Sequence, residues 1–257
     1  MGSKCSFEVT AHVATIMINN PPVNALHPDV SDEIVGHLTS VANDASIRVV
    51  ILTGEGRHFV GGADLKYVRT LNRHQAEAYA LKIQAMQDMI RTLRQPVIAA
   101  INGTVLGGGL ELAMACDLRV AERQARFGLP EVTLGLIPGA GGTQNLPRLV
   151  PLGRAKRMIL TGERISAEEA LSLGLVDELV ETGCATDAAL DLARVIARNA
   201  PLAVAAAKRA VDLGAQPNLV EGHRVEAAFF GPLVESADFA EGVAAFFGKR
   251  PPEYAGK

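Results

Sequence analysis

The sequence predicts an α/β fold with a parallel sheet and an extension of helices at its C-terminal end. Up to residue 122, short β-branched runs alternate with amphipathic stretches, a pattern typical of strands joined by helices. Those runs are almost continuously apolar, as expected of parallel strands with both sheet faces covered. After about residue 140 one helical stretch follows another. The first part therefore predicts the sheet, and the second predicts the helical extension.

The elements of the sheet region follow from periodicity. HVATIMIN has the length and β-branched content of a strand, and the next stretch has apolar residues at helical spacing. The same alternation recurs twice, and a loop with the letters EGRHFVGGADL lies between the second strand and its helix. Strands are predicted at 12–19, 48–54, 96–102 and 118–122, and helices at 27–44, 73–94 and 108–116.

Local stop signals divide the helical region. Ser166 and Glu169 have the spacing of a capping box, and Gly174 ends that helix. Residues 175–180 are consistent with one more short strand. Helices are predicted at 186–199, 201–214, 217–230 and 236–247, with breaks at Pro201, Gly231 and Pro232.

Composition restricts the class of protein. The chain has 257 residues, 48% of them hydrophobic, which is enough for a large core. A net charge of −3 and few aromatic residues argue against nucleic-acid binding. Three cysteines without a CxxC pair favour a reducing compartment. With no leader pattern and no apolar run of membrane-spanning length, we expect a cytoplasmic protein that binds no membrane.

One glutamate stands out in the stretch TVLGGGLELAMAC. Glu111 is the only charged residue between Arg94 and Asp117. A carboxylate removed from water is costly and usually shifts its pKa. The three glycines before it form a turn that opens a helix, where backbone N–H groups are unpaired and can face a ligand. A tight structural turn and a ligand-binding turn both fit this pattern.

Two further segments have similar features. Glu131 is the only charge between Arg126 and Arg148, and it follows Pro130 as the first residue of a short helix would. Alone it is typical of a helix-end acid, but two isolated carboxylates favour a general acid and base pair. The letters FVGGAD (59–64) indicate either an ordinary turn capped by Asp64 or a second backbone donor. Two donors on separate loops would form an oxyanion hole.

Other chemistries lack their motifs. The six histidines include no HExxH pair, so no metal site is predicted. The chain has no dinucleotide fingerprint, P-loop or nucleophile elbow. Cys116 lies in an apolar helix and is interpreted as core.

Taken together, five segments resemble the crotonase superfamily, and within it the enoyl-CoA hydratases. They read NPPVNAL, FVGGADL, QPVIAAINGTVLGGGLELAMACDLRVA, FGLPEVTLGLIPGAGGTQNLPRLV and LTGERISAEEALSLGLVDELV. The resemblance implies a spiral of ββα repeats over 1–195. It also implies a helical region over 196–257 that supports a homo-oligomer, either a trimer or a dimer of trimers.

The resemblance also implies roles for single residues. Ala63 and Gly108 match the backbone donors that hold the thioester carbonyl of an acyl-CoA, and Glu111 and Glu131 match the two catalytic carboxylates. No cofactor is implied beyond the CoA of the substrate. Further contacts to substrate or CoA are implied for Asn24, Ala25, Leu26, Asp64, Leu65, Lys66 and Gly139, in addition to Ala63 and Gly108.

Both acids together favour hydration of a trans-2-enoyl-CoA to a 3-hydroxyacyl-CoA. Two alternatives stay open: another crotonase-type reaction, such as isomerisation or hydration of a specialised acyl-CoA, and a binding protein without turnover. Chain length and pathway are not set by the sequence.

The chain departs from the family pattern at three positions. Val60 and Gly248 stand where a smaller residue and an acid are common, and Asn145 replaces a frequent arginine. Lys249 and Arg250, after Gly248, are weaker candidates for a CoA phosphate contact.

Overall fold

Two sheets organise residues 2–257, the residues that the computed structural model describes. The larger has the strand order β1-β2-β3-β5-β7-β10, and the smaller has the order β4-β6-β8-β9. The strands are β1 (Cys5–Thr10), β2 (Val13–Ile18), β3 (Val49–Gly54), β4 (His58–Val60), β5 (Val97–Ile101), β6 (Thr104–Leu106), β7 (Leu118–Glu122), β8 (Arg126–Gly128), β9 (Arg164–Ser166) and β10 (Glu178–Val180). The helices are α1 (Pro28–Asn43), α2 (Leu65–Val68), α3 (Arg73–Thr92), α4 (Gly108–Ala115), α5 (Gly142–Leu149), α6 (Leu152–Thr161), α7 (Ala167–Ser172), α8 (Ala185–Ala197), α9 (Pro201–Gly214), α10 (Leu219–Leu233) and α11 (Ala237–Gly248), with a 3₁₀ turn at Glu131–Leu134.

The chain alternates between the two sheets. Strands β3, β5 and β7 are parallel neighbours in the large sheet, and each is followed by a short parallel strand of the small sheet, β4, β6 or β8. After β4 and β6, a helical segment returns the chain to the next large-sheet strand; after β8, helices lead first to β9 of the small sheet and then, through α7, to β10. Each repeat is therefore a ββα unit, and the predicted spiral is confirmed.

Both faces of the large sheet are covered. Every residue of β3 and β5 is buried. On one face, four alanines of α8 at four-residue intervals pack against Val49, Ile51, Ile98 and Val120. On the other face, alternate residues of the same strands join the main core with α1, α3 and α4. The apolar runs of the sequence therefore belong to parallel strands between two layers, as predicted.

The sequence prediction missed part of the sheet structure. Strand β1 was not predicted, and it pairs with β2 in the antiparallel direction. The sequence predicts a loop over EGRHFVGGADL, but this stretch contains β4 and the first residue of α2. Strands β4, β6 and β8 have only three residues each, too few for a recognisable alternation of side chains.

Details of the helical region differ as well. Ser166 accepts a hydrogen bond from the backbone of Glu169, but the Glu169 side chain pairs with Arg154 instead of completing the capping box. Helix α10 continues beyond residue 230 and holds Pro232 in its last turn. The predicted division after residue 195 falls inside α8 and stays a prediction.

Polar contacts attach the C-terminal helices to the core. The buried Lys208 ammonium donates to the carbonyls of Ile90 and Gln95 and lies 2.8 Å from Asp117 Oδ2. Arg48 donates to the carbonyls of Ala197 and Tyr254. No helix within residues 2–257 combines the length and the apolar character needed to cross a bilayer.

Candidate active site

The glycine turn between β6 and α4 is the centre of the candidate site. Gly107 adopts a φ of +51° and caps α4 without a side chain, and α4 begins at Gly108. The Gly108 N–H is in the first turn, so no helical carbonyl can accept from it. A Cβ on Gly109 would lie 2.1 Å from the carbonyl oxygen of Val60. Only glycine therefore lets α4 start this close to β4.

A second unpaired N–H comes from Ala63, in the loop after β4. Leu26 N–H donates to the carbonyl of Gly62, and Asp64 N–H donates to the carbonyl of Leu26. This β-bridge pairs the backbone groups of Gly62 and Asp64 with Leu26. The N–H of Ala63 itself has no acceptor among residues 2–257. The nitrogen lies 3.5 Å from the position that a Cβ on Gly108 would take. The two predicted donors therefore lie side by side.

Glu111 is buried in α4 and held by a distant loop. Its side chain is 2% exposed. Oε1 accepts hydrogen bonds from the backbone N–H groups of Ala140 (2.8 Å) and Gly142 (2.7 Å). Burial raises the pKa of Glu111 to about 7, and the charge of Glu131 adds to this effect, while the two N–H donors oppose it. The group can therefore take up or release a proton near neutral pH.

Glu131 approaches the same glycine turn from the 3₁₀ turn after β8. It is the first residue of the 3₁₀ turn, as the prediction of a short helix after Pro130 requires. A Cβ on Gly107 would lie 2.8 Å from Glu131 Oε1. Oε2 is buried and has no hydrogen-bond partner in residues 2–257. Burial raises the pKa of Glu131 as well, so two acids of raised pKa lie close enough for the charge of Glu131 to act on Glu111.

The structure brings the four predicted catalytic residues together, while the predicted CoA contacts lie on adjoining loops. Ala25 and Leu26 are next to the bridge to Ala63. The Asn24 side chain is buried and donates to the carbonyls of Glu55 and His58, so only its backbone can face a ligand. Of the other predicted contacts, Asp64 caps α2, Leu65 and Lys66 are exposed on α2, and Gly139 is exposed before Ala140.

Arg250 does not reach this site within the chain. Its guanidinium forms a two-pronged ion pair with Glu241 in the C-terminal region. The hydrogen bonds with Arg250 hold the pKa of Glu241 at about 2. Residues 2–257 also contain no group of three or more His, Cys, Asp or Glu side chains that could hold a metal ion.

Sequence reasoning missed the residues that position the site. Ala140 and Gly142 hold Glu111, and the letters GAGG could have indicated a loop of backbone donors. The Tyr79 hydroxyl donates to the carbonyl of Leu26 at 2.7 Å, and burial raises its pKa. Gln84 donates to the carbonyl of Gly139. For these two side chains on α3, no sequence signal was available.

Comparisons with known proteins agree with this geometry. Residues 8–257 match the family model described as enoyl-CoA hydratase/isomerase. A short-chain-enoyl-CoA hydratase of Clostridium acetobutylicum is 40% identical over 248 residues, covering 96% of this chain and 95% of the relative. A 2,3-dehydroadipyl-CoA hydratase of Escherichia coli is 40% identical over 95% of this chain and 96% of its own.

A solved structure shows the same fold. The crystal structure of an enoyl-CoA hydratase from Bacillus anthracis superposes with a TM-score of 0.96 at 43% sequence identity. The match covers 99% of this chain and 100% of the other.

Proposed function

We propose, from the premise that this chain belongs to the enoyl-CoA hydratase/isomerase family and is an enzyme of the hydratase type, a role for its two carboxylates. Glu111 and Glu131 add water to a trans-2-enoyl-CoA. One observation carries this assignment of roles. A buried carboxylate, Glu111, and a half-buried one, Glu131, both with a raised pKa, lie at a glycine turn near which two backbone N–H groups are unpaired. Donors for an oxyanion next to an acid and a base are what conjugate addition of water requires.

The two N–H groups would activate the substrate. Ala63 and Gly108 donate to the thioester oxygen, which makes C3 electrophilic and stabilises the enolate that forms. Each such donor contributes about 3–4 kcal/mol to transition-state stabilisation in other enzymes. Because both donors are fixed by the bridge and the helix start, they need no reorganisation during the reaction.

The carboxylates would move the protons. Glu111 uses Oε1 to accept from the loop, which leaves Oε2 to remove a proton from water while the water oxygen bonds to C3. Glu131 in its protonated form then gives a proton to C2, and the product is a 3-hydroxyacyl-CoA. Burial raises the pKa of both carboxyls, and the charge of Glu131 raises the pKa of Glu111 further, so the pair can hold a proton at a higher pH than free carboxyls do. The proposed cycle moves only water and protons, and it uses no cofactor beyond the CoA of the substrate.

CoA would lie over the loops around the bridge. We assign to it the backbone of residues 24–26, the α2 cap Asp64, the α2 residues Leu65 and Lys66, and Gly139. Lys66 is exposed at the start of α2, where its ammonium can approach a phosphate. The relatives are named for a short-chain and for a dehydroadipyl substrate, so the names alone leave the acyl group of this enzyme open.

We also propose that the C-terminal helices hold copies of this chain together. They form an apolar groove of about 520 Å³ with Phe246 and Phe247 79% and 78% exposed. Exposed aromatic surface of this kind is typical of an interface. Light scattering should give a mass three or six times 27.1 kDa. Phe246→Asp should lower this mass. Leu160→Asp, which changes an exposed residue of α6, should leave the mass unchanged. An unchanged mass in Phe246→Asp would reject this interface.

The test of the reaction is the loss of ultraviolet absorbance of the conjugated thioester of crotonyl-CoA. We expect rapid loss with the wild type and rates lower by about two to four orders of magnitude for Glu111→Gln and Glu131→Gln. Binding of CoA esters without turnover would favour a binding protein, and double-bond migration without water uptake would favour an isomerase. Full activity in both variants would show that the carboxylates have another role.

A further inference from the structure

Tyr79 is a half-buried tyrosine that reaches from α3 to the backbone beside the candidate site. Its hydroxyl donates to the carbonyl of Leu26 at 2.7 Å, and no other side chain within residues 2–257 forms a hydrogen bond with Leu26. Burial raises the pKa of Tyr79, and the charge of Asp64 adds to this effect, so the hydroxyl stays protonated at neutral pH. The proposed acid and base chemistry makes no use of this donor.

The carbonyl that accepts from Tyr79 belongs to the bridge beside Ala63. The N–H of Leu26 donates to the carbonyl of Gly62 at 2.8 Å, and the carbonyl of Leu26 accepts from the N–H of Asp64 at 3.2 Å. Leu26 therefore holds the residues before and after Ala63, whose own N–H has no acceptor in the described part of the chain. A displacement of the Leu26 carbonyl would change the direction of that N–H.

The helix that follows the bridge contributes little apolar packing. Helix α2 has no buried residue, and Leu65 at its start is 51% exposed. Tyr67 of α2 lies edge-on to Tyr79, with ring centroids 5.5 Å apart, and edge-on to His27 at 5.2 Å. The hydrogen bonds of Tyr67 within residues 2–257 all use its backbone. The Tyr79 hydroxyl is therefore the polar contact that ties the bridge to α3.

We propose that Tyr79 is a positioning residue for the oxyanion donor Ala63. Its hydroxyl fixes the Leu26 carbonyl, and the bridge carries this position to residues 62–64. Without the hydroxyl, the Ala63 N–H is still present but is held less firmly, so its hydrogen bond to the thioester oxygen lengthens. An oxyanion donor is effective at about 2.7–3.1 Å from that oxygen. This inference rests on the proposed function, because Ala63 acts on the substrate only as an oxyanion donor.

The infrared band of a bound thioester carbonyl measures the proposed effect. Butanoyl-CoA labelled with carbon-13 at the carbonyl is saturated, so it binds without being hydrated, and hydrogen bonds to its oxygen lower the C=O stretching frequency. We expect binding to the wild type to lower this frequency and binding to Tyr79→Phe to lower it less. The kcat for crotonyl-CoA should fall about 10–100-fold in Tyr79→Phe, which is less than the loss of a whole oxyanion donor.

Two control variants test whether the hydroxyl of Tyr79 itself is responsible. Tyr67→Phe removes a hydroxyl from the adjacent ring and keeps the aromatic contact with Tyr79. Gln84→Leu, on the same helix, removes a donor to the carbonyl of Gly139 at 2.8 Å, a contact with the loop that holds Glu111 and not with the bridge. Both controls should keep the wild-type carbonyl frequency. An equal loss of the frequency shift in either control would assign the effect to ring packing or to the position of α3 and overturn the proposal.

The wild-type frequency in Tyr79→Phe would also overturn the proposal. If Tyr79→Phe does not fold, Tyr79→Met, whose flexible apolar side chain lacks a donor, should give the same smaller shift. The wild type separates the two proposals. No frequency change when the wild type binds butanoyl-CoA would reject Ala63 and Gly108 as oxyanion donors, whereas an equal shift in the wild type and in Tyr79→Phe would reject only the role of Tyr79.

Discussion

Glu111→Gln should make this protein more stable at the same time as it removes activity. The carboxylate is 2% exposed, and its pKa is raised from 4.5 to about 7. Glutamine keeps the shape of the side chain, and its carbonyl can still accept from Ala140 and Gly142. The substitution therefore removes mainly the cost of holding a buried negative charge.

The pH dependence of this effect follows from linkage. A carboxyl whose pKa is higher in the folded than in the unfolded state favours folding only while it is protonated. Its cost to the free energy of unfolding begins near pH 4.5, grows as the pH rises, and is complete above pH 7. With these pKa values the cost is about 1 kcal/mol at pH 5 and about 3 kcal/mol at pH 8. The advantage of Glu111→Gln over the wild type should increase by about 2–3 kcal/mol between the two pH values.

Urea unfolding at pH 5 and pH 8, at one fixed protein concentration, measures this difference. Glu77→Gln, on the exposed surface of α3, is the matched control and should differ from the wild type by the same small amount at both pH values. If Glu111→Gln showed an equal stability difference at pH 5 and pH 8, Glu111 would not have a raised pKa, and its assignment as a base poised near neutral pH would be wrong.

Three further predictions concern the same site. The kcat/KM for crotonyl-CoA should rise as the pH passes through about 7, because ionised Glu111 accepts the proton. The residual activity of Glu131→Gln should rise at a lower pH than that of the wild type, because the charge of Glu131 contributes to the raised pKa of Glu111. A rise of activity at the same pH in both proteins would contradict this coupling. Gly107→Ala places a Cβ 2.8 Å from Glu131 Oε1 and should lower kcat at least about tenfold. Gly135→Ala, at a φ of +75° with open space around it, tests backbone strain alone, so equal losses in the two variants would exclude displacement of Glu131 as the cause. Asn24→Ala leaves the carbonyls of Glu55 and His58 without their donor. The free energy of unfolding, measured by urea denaturation, should fall by about 2–3 kcal/mol. A fall below about 1 kcal/mol would show that water replaces the amide.

The two carboxylates proposed as the catalytic pair could be found in the sequence because each is isolated in an apolar segment. Glu111 and Glu131 are visible as single charges, and the glycines before Glu111 mark a helix start whose N–H groups are free in any protein. The donor role of Ala63 came from the resemblance. Its N–H is unpaired because of a bridge to Leu26, a contact over 37 residues that local pattern does not encode.

The residues around the pair could not be predicted for a similar reason. Gln87 lies between Met86 and Asp88 on a helix with polar residues on several sides, so the sequence does not show that it faces inward. Asn145 was noted only as a departure from the family pattern. Whether a polar side chain on a helix is solvated or buried depends on which element packs against it, and that is decided by tertiary structure.

The proposed oxyanion donors lie on the main chain, and this has a consequence for how the enzyme can change. The genetic code cannot delete a backbone N–H, except by introducing proline, so the carbonyl-polarising half of the site persists through most substitutions at Ala63, whereas a Cβ on Gly108 would lie 3.5 Å from the Ala63 nitrogen and crowd the carbonyl. The proton-transferring half depends on two codons, those of Glu111 and Glu131. A library of point mutants should therefore contain proteins that have lost Glu111 but keep Glu131 and both N–H donors. In these proteins Glu131 can still accept the C2 proton, so they should exchange the α-carbon proton of a saturated acyl-CoA although they no longer hydrate an enoyl-CoA.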